Sequence, residues 1–406
     1  MLLIFAIIIF IVSYLLYIYY RTYLAPAVIL SFVWGAVLFG YAVLPHGMYS
    51  ISLKTGVVFL LWILSSIYGA CLFSKVKIFS VKRHDIFFNS SVRRVYYLIS
   101  VVTIFPIMYI AYKQGTSMTA GSFLFNLRMV NSGLVESEYQ FGILKYASAF
   151  SHISLLMEIY SSEMKKEKHN IRLPVLFIIN FITAIISMSK AAFIRLFIPI
   201  LFIKILKNNI PVKKILLYFV LITIVMISIQ ILRATGSGGK SEGVVSSMFN
   251  VYIFGGIPAL DKMVNAETHT AENPITFTFF YKIYSALGGH DNQTKSINDV
   301  RGEGGYIRVS SDHETNVYTA IFPYWADWGF VGVIIGGFFA YGVLFGIFFK
   351  LVNCQKAWGI LVYSDFLTIM AFPFFSEGVI SQLSYIIQLV ILSWFANNFK
   401  YKFKWY

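Results

Sequence analysis

Residues 2–20 read LLIFAIIIFIVSYLLYIYY, nineteen consecutive residues without a charge. The hydrocarbon core of a bilayer is about 30 Å thick and takes about 20 apolar residues of helix to cross. A strand of a transmembrane barrel would alternate apolar and polar residues, and this run does not alternate. It therefore predicts a membrane-spanning helix. No basic segment precedes it and no small-residue cleavage site follows, so it reads as a retained helix and not as a signal peptide. Working outward, similar runs recur at 25–44, 55–74, 95–112, 142–161, 173–188, 191–206, 215–232, 317–348, 357–375 and 378–396. The chain of 406 residues is 58% hydrophobic and 13% charged, with mean hydropathy +0.72; a soluble domain carries about 25% charged residues. The expected fold class is all-α: a polytopic integral membrane protein of about eleven spans, one membrane domain over 1–406. Cys71 and Cys354 predict no disulfide, and no internal repeat of the transporter kind is visible.

Charge orients these spans. Arg21, the 75–94 loop, the 165–172 loop, the 204–214 loop, Lys350, Lys356 and the C-terminal lysines fall in alternate loops. The positive-inside rule places them in the cytoplasm. That side holds 20 of the 33 Lys/Arg and 5 of the 18 Asp/Glu, so the remaining 13 and 13 cancel. The formal +15 reports orientation, and the chain has no need of nucleic acid to explain it. The N-terminus is then expected outside and the C-terminus inside. Trp325, Trp328, Trp358, Trp394 and Trp405 lie near span ends as interfacial aromatics do, whereas Trp34 and Trp62 fall inside spans and are expected between helices. One loop dominates the outer face: 233–316, between spans eight and nine, with candidate interfacial segments at 252–261 and 277–287. The second is too short to span and reads as an amphipathic surface helix.

Positive charge on the outer face needs a reason other than topology. Lys113, Arg128, Lys190, Arg195, Arg233, Arg301 and Arg308 lie at or beyond outer span ends. Arg195 sits inside a span, where a charge is costly unless it faces a wet cavity or a partner. The set predicts a basic cleft for an anionic lipid head group, because the planar fork of Arg suits phosphate; snorkelling, or pairing with the outer acids, is the plainer reading. The long loop closes on Asp312-His-Glu-Thr-Asn-Val-Tyr-Thr319 and then Tyr324-Trp-Ala-Asp-Trp-Gly329. Glu314, Asp327 and His313 are the candidate catalytic bases for a sugar hydroxyl. Asp261, Asn316, Tyr318 and Tyr324 are candidate substrate contacts. Helix capping by Asp312, Thr315 or Asp327 is the structural alternative. The seven histidines are scattered without paired ligand spacing, so no metal site is expected. No nucleotide loop is present and no cofactor is called for.

With these residues in view, the chain resembles the Wzy-type O-antigen (oligosaccharide repeat-unit) polymerases of bacterial inner membranes. The likeness rests on the layout of spans with one large outer loop in the C-terminal half. It rests also on Tyr252-x-x-Gly-Gly-x-Pro-Ala-Leu-Asp261, on Thr315-Asn-Val-Tyr-Thr319, and on Tyr324-x-x-Asp327-Trp-Gly329-x-x-Gly332. Ser187-Met-Ser-Lys190-Ala is similar to the hairpin turn of these enzymes with Lys in place of Arg. The Arg-x10-Gly motif of some members is absent: the eleventh residue after Arg233 is Val244, and after Arg128 it is Tyr139. The resemblance implies transfer of a growing glycan from undecaprenyl pyrophosphate onto a hydroxyl of a new lipid-linked repeat unit at the periplasmic face. It implies as partners an undecaprenyl-pyrophosphate-linked oligosaccharide, membrane lipids and a chain-length regulator protein. Two rivals stay open. An O-antigen ligase would use lipid A core as acceptor and an essential loop histidine, for which His269, His290 and His313 qualify. A flippase for the same lipid would need polar groups along a central path, and the spans are apolar apart from a few residues such as Lys145, His152, Glu158, Arg195 and Asp365.

Overall fold

The computed structural model describes residues 1–74, 87–117, 122–131, 135, 137–165, 171–207, 217, 224, 227–228, 250–266, 274–287 and 306–399. The chain divides into two compact units. The first comprises Met1–Phe79, Ser246–Asn353 and Ile369–Ile386; the second comprises Ser80–Val245, Cys354–Thr368 and Ile387–Tyr406.

In the first unit α1 (Leu2–Tyr20) and α2 (Pro26–Val43) form an antiparallel pair. Arg21 stops α1 in the left-handed region at φ 51°, its amide bonded to Tyr17 O at 2.8 Å. Pro26 opens α2 at a position where its missing N–H costs nothing. Helix α1 buries a narrow face, Ala6, Ile9 and Ser13, and exposes Ile4, Ile7, Ile11, Leu15 and Ile18. Such a surface is an aggregation liability in water and the ordinary outer surface of a helix in lipid. Helix α3 (Leu53–Ser74) follows, and Trp34 and Trp62 are buried between helices.

In the second unit α4 (Ser90–Thr116) is capped by Asn89, whose side chain accepts from Ser91 N and Val92 N. Then come α5 (Phe123–Asn131), α6 (Ala147–Lys165), α7 (Arg172–Ser187) and α8 (Lys190–Lys207). Helix α6 is deeply enclosed, with Ile153, Leu155, Leu156, Met157 and Glu158 all buried. The Glu158 carboxylate pairs with Arg93 through two bonds, Nε–Oε1 at 3.1 Å and Nη2–Oε2, and with Arg172 Nη1 at 3.6 Å. Two arginines that read as topology signals thus also clamp α4 and α7 to α6.

The first unit resumes with α9 (Gly256–Ala266), α10 (Thr278–Ala286) and a two-stranded hairpin, β1 (Ile307–Arg308) and β2 (Glu314–Thr315). The expected span at 317–348 begins instead at Phe322, behind Pro323, and runs to Asn353. It is not one regular helix. α11 (Phe322–Gly336) breaks at Trp328–Gly329, where Gly329 has φ 55°, and leads into a π-helical turn over Gly337–Val343 before α12 (Leu344–Asn353). The π-helical turn lies where the backbone meets α3. A Cβ on Gly69 would stand 2.5 Å from Phe338 O, and one on Gly342 would stand 2.8 Å from Gly69 Cα. Small residues at a membrane helix interface permit such approach. Helices α13 (Ala357–Ala371) and α14 (Leu383–Asn398) each contribute to both units.

Five helices among the described residues are long and apolar enough to cross a membrane: α1, α2, α3, α4 and Phe322–Asn353. Helices α7, α13 and α14 are apolar but shorter. The protein is an all-α membrane protein whose described strand is confined to the short hairpin. The span expected at 215–232 lies almost wholly outside the described residues.

Candidate functional site

The hairpin stands at the start of the long helix. Val309 N donates to His313 O at 2.9 Å, and Ser310 Oγ accepts from the amides of Asp312 and His313 at 3.2 and 2.9 Å. This tight turn sets Arg308 directly across from Glu314. Ile307 and Thr315 face inward, whereas Arg308 and Glu314 are both exposed, so a cation and a carboxylate share the hairpin's open face. His313, half-buried, follows the turn, and Asn316 is exposed just beyond the second strand.

The loop between α2 and α3 packs on this hairpin: Tyr49 N donates to Val309 O at 2.9 Å. The loop is fixed from its other end by Asp261 of α9. Its Oδ1 accepts from Ser52 N at 2.8 Å, Ser52 Oγ at 2.7 Å and Thr55 Oγ1 at 2.7 Å. Ser52 Oγ accepts from Thr55 N at 3.3 Å as the N-cap of α3, and Asp261 holds that cap in place. Two lysines stand over aromatic rings beside it. Lys262 Nζ is 5.3 Å from the Tyr49 ring and Lys54 Nζ is 5.6 Å from the Trp325 ring, within cation–π range. Arg308, Glu314, Lys262, Lys54 and Asp261 are thus carried by elements bonded to one another within the first unit.

Other candidates take structural positions. Asp327 is buried, and its Oδ1 accepts from Ile275 N at 2.8 Å. Its Oδ2 accepts from Thr276 N at 2.8 Å and Thr276 Oγ1 at 2.7 Å. Tyr318 and Tyr324 are 1% and 3% exposed, so their rings belong to the core. The Tyr318 ring lies tilted against Phe322, centroids 4.6 Å apart, and Tyr324 lies 5.1 Å from Trp62. Trp325 is buried too, which corrects its reading as an interfacial aromatic; Trp328 remains exposed.

Glu377, in the turn between α13 and α14, was not foreseen. Its carboxylate accepts from Val379 N at 2.7 Å, Ile380 N at 2.9 Å and Ser381 N at 2.7 Å. The phenols of Tyr324 and Tyr341 face it. Burial pushes the Glu377 carboxyl above its ordinary value, against the pull of the backbone amides of Ser381, Ile380 and Val379. An acid in a short polar turn between two apolar spans was the available signal.

In the second unit, α5 carries Arg128 onto the turn between α7 and α8. Leu127 packs with Ala111 and Met188, and Asn131 Nδ2 donates to Ile186 O at 2.7 Å. Lys190 begins α8 in that same turn. One and a half turns on, Arg195 Nε lies 3.5 Å from Asp365 Oδ1, and His152 Nε2 lies 3.3 Å from the same oxygen. Arg195, expected inside a span, therefore has an acidic neighbour. Arg233 and Arg301 lie outside the described residues, as do His269 and His290. Among the described residues no group of three or more His, Cys, Asp or Glu could hold a metal ion. No protein-family model, curated protein or solved structure matches the chain.

Proposed function

We propose that the protein is a glycan polymerase of about eleven spans in a bacterial inner membrane, with loop 233–316 and the N-terminus periplasmic. It transfers a growing chain from undecaprenyl pyrophosphate onto a lipid-linked repeat unit. The observation that carries this reading is the open hairpin face on which Arg308 stands opposite Glu314, within a segment that also bears the family-like Thr315–Thr319 motif. In the reaction Glu314 takes the proton of the acceptor hydroxyl. The freed oxygen bonds to the anomeric carbon, the bond from that carbon to the pyrophosphate oxygen breaks, and undecaprenyl pyrophosphate leaves. Arg308 stabilises the charge that develops on the leaving group, as a planar donor fork does for phosphate.

Purified protein incubated with lipid-linked repeat units tests this. A ladder of longer glycans is expected. Glu314→Gln and Arg308→Ala should each lower the rate by about 10²–10³ with folding unchanged, because both side chains are exposed. Transfer to lipid A core alone would make the protein a ligase. A second reading has its own support. His152, Arg195 and Asp365, in membrane-type helices, lie close together, and titratable groups in such helices mark ion or proton paths. Movement of the lipid-linked unit across vesicles without any new glycosidic bond would establish that reading and overturn the polymerase.

A further inference from the structure

Helix α10 (Thr278–Ala286) is amphipathic, but its apolar side faces outward. Phe277, Phe280, Ile283, Tyr284 and Leu287 are 44%, 53%, 43%, 62% and 82% exposed. Their spacing of three and four residues makes one stripe along the helix. Lys282 falls on the opposite side and is exposed as well. A helix on a protein core would bury that stripe, and a helix in water would not carry it. At about 1.5 Å per residue α10 is roughly 14 Å long, too short to cross about 30 Å of hydrocarbon.

The stripe has a neighbour that says what covers it. Trp328, Val331, Ile335 and Phe339 are exposed along one side of Phe322–Asn353, a helix of membrane-spanning length. Phe277 meets Trp328 edge-on, ring centroids 5.6 Å apart. The apolar stripe of α10 thus continues the lipid-facing side of the long helix around a corner. The corner is held by Asp327, whose two oxygens take both amides and the hydroxyl at Ile275–Thr276 directly before α10.

We infer that α10 lies in the headgroup–acyl boundary of the bilayer, stripe down and Lys282 toward water, and that Asp327 is the positioning residue that fixes it there. Burial of such a face and a basic residue at the polar side are what interfacial helices have in common. This surface is separate from the reaction proposed above, in which Asp327 takes no part.

Spin labels test the placement without any turnover. In a Cys71→Ser, Cys354→Ser background in phosphatidylcholine–phosphatidylglycerol vesicles, single cysteines replace Phe280, Lys282, Ile283, Tyr284 and Leu287. Collision with oxygen should exceed collision with a water-soluble nickel chelate several-fold at 280, 283, 284 and 287, and the order should reverse at 282. Nickel access at every position would overturn the inference. Protection from both reagents would overturn it also, by showing that protein, including a second copy of the chain, covers the stripe. Asp327→Ala should abolish the alternation, and the milder Thr276→Val should weaken it while the protein stays folded. An unchanged pattern in both variants would leave the helix on the lipid and remove Asp327 from its role.

Discussion

Breaking the Glu158 clamp should destabilise the second unit strongly. The Glu158 side chain is 0% exposed and that of Arg93 is 7%, while Arg172 at 33% lies nearer the surface. Arg93 is the partner whose loss of a counter-ion matters, because it is already desolvated and holds both carboxylate oxygens. Glu158→Gln keeps the shape and leaves a buried guanidinium uncompensated. Removing one partner of a buried pair costs about 3–5 kcal/mol, whereas replacing both by neutral groups is often close to neutral. For a folding unit of this size that is a fall on the order of 10 °C in apparent Tm. Cys71 and Cys354, both free and partly buried, report unfolding with a thiol-reactive fluorophore in detergent or nanodiscs. Glu158→Gln should melt well below the wild type, and Arg93→Gln with Glu158→Gln should recover most of the loss. A single variant that melts with the wild type, or a double variant no better than the single, would refute the reasoning.

Gly342→Val should lower the apparent Tm through a clash with backbone rather than with a movable side chain, since its Cβ would stand 2.8 Å from Gly69 Cα and Ser66 O; overpacking of this kind costs about 1–3 kcal/mol, and the same thiol assay reads it. Glu377 predicts a pH dependence. Its folded value is raised above its ordinary 4.5, so its contribution is full below 4.5 and fades as pH rises through the folded value; the Tm of the wild type relative to Glu377→Gln should therefore grow as pH is lowered from neutral toward 4.5, and a difference that shrinks on acidification would contradict it.

Much of the fold was legible in the apolar runs. Helices α1 to α4 are where continuous hydrophobicity places them, because a span has to satisfy its own backbone in lipid and leaves that signature locally. What was not legible depends on distant partners. The π-helical turn lies where Gly337 and Gly342 approach Ser65, Ser66 and Gly69 of α3, and no window around residue 337 contains α3. Arg93 and Glu158 are 65 positions apart, so charge counting sees a topology signal and an isolated acid. The hairpin pairing of Arg308 with Glu314 was hidden for the opposite reason. Its strands are two residues each, too short to show period-two alternation.

Among the described residues, the bonding of several other acids makes the hairpin the place to seek the base of the proposed reaction. A general base needs an oxygen that can meet the acceptor hydroxyl. Asp327 and Glu377 bind their own backbone with both oxygens. Asp261 holds Ser52 and Thr55 at the start of α3 through three bonds to one oxygen, and Glu158 holds Arg93 and Arg172. Asp365 has Arg195 and His152 as neighbours, and Asp312 accepts from Ser311 Oγ at 2.8 Å. Glu314 is exposed opposite a cation and caps no helix. The two carboxylates that the sequence offers as bases, Glu314 ahead of Asp327, should therefore fail in different ways. Asp327→Asn puts an amide N–H against a donor, leaves buried amides short of an acceptor at about 1–3 kcal/mol, and should lower Tm. Glu314→Gln should leave Tm alone and stop chain growth. If instead Glu314→Gln destabilises the fold and Asp327→Asn blocks growth in a protein that melts normally, the roles given to these two residues are reversed.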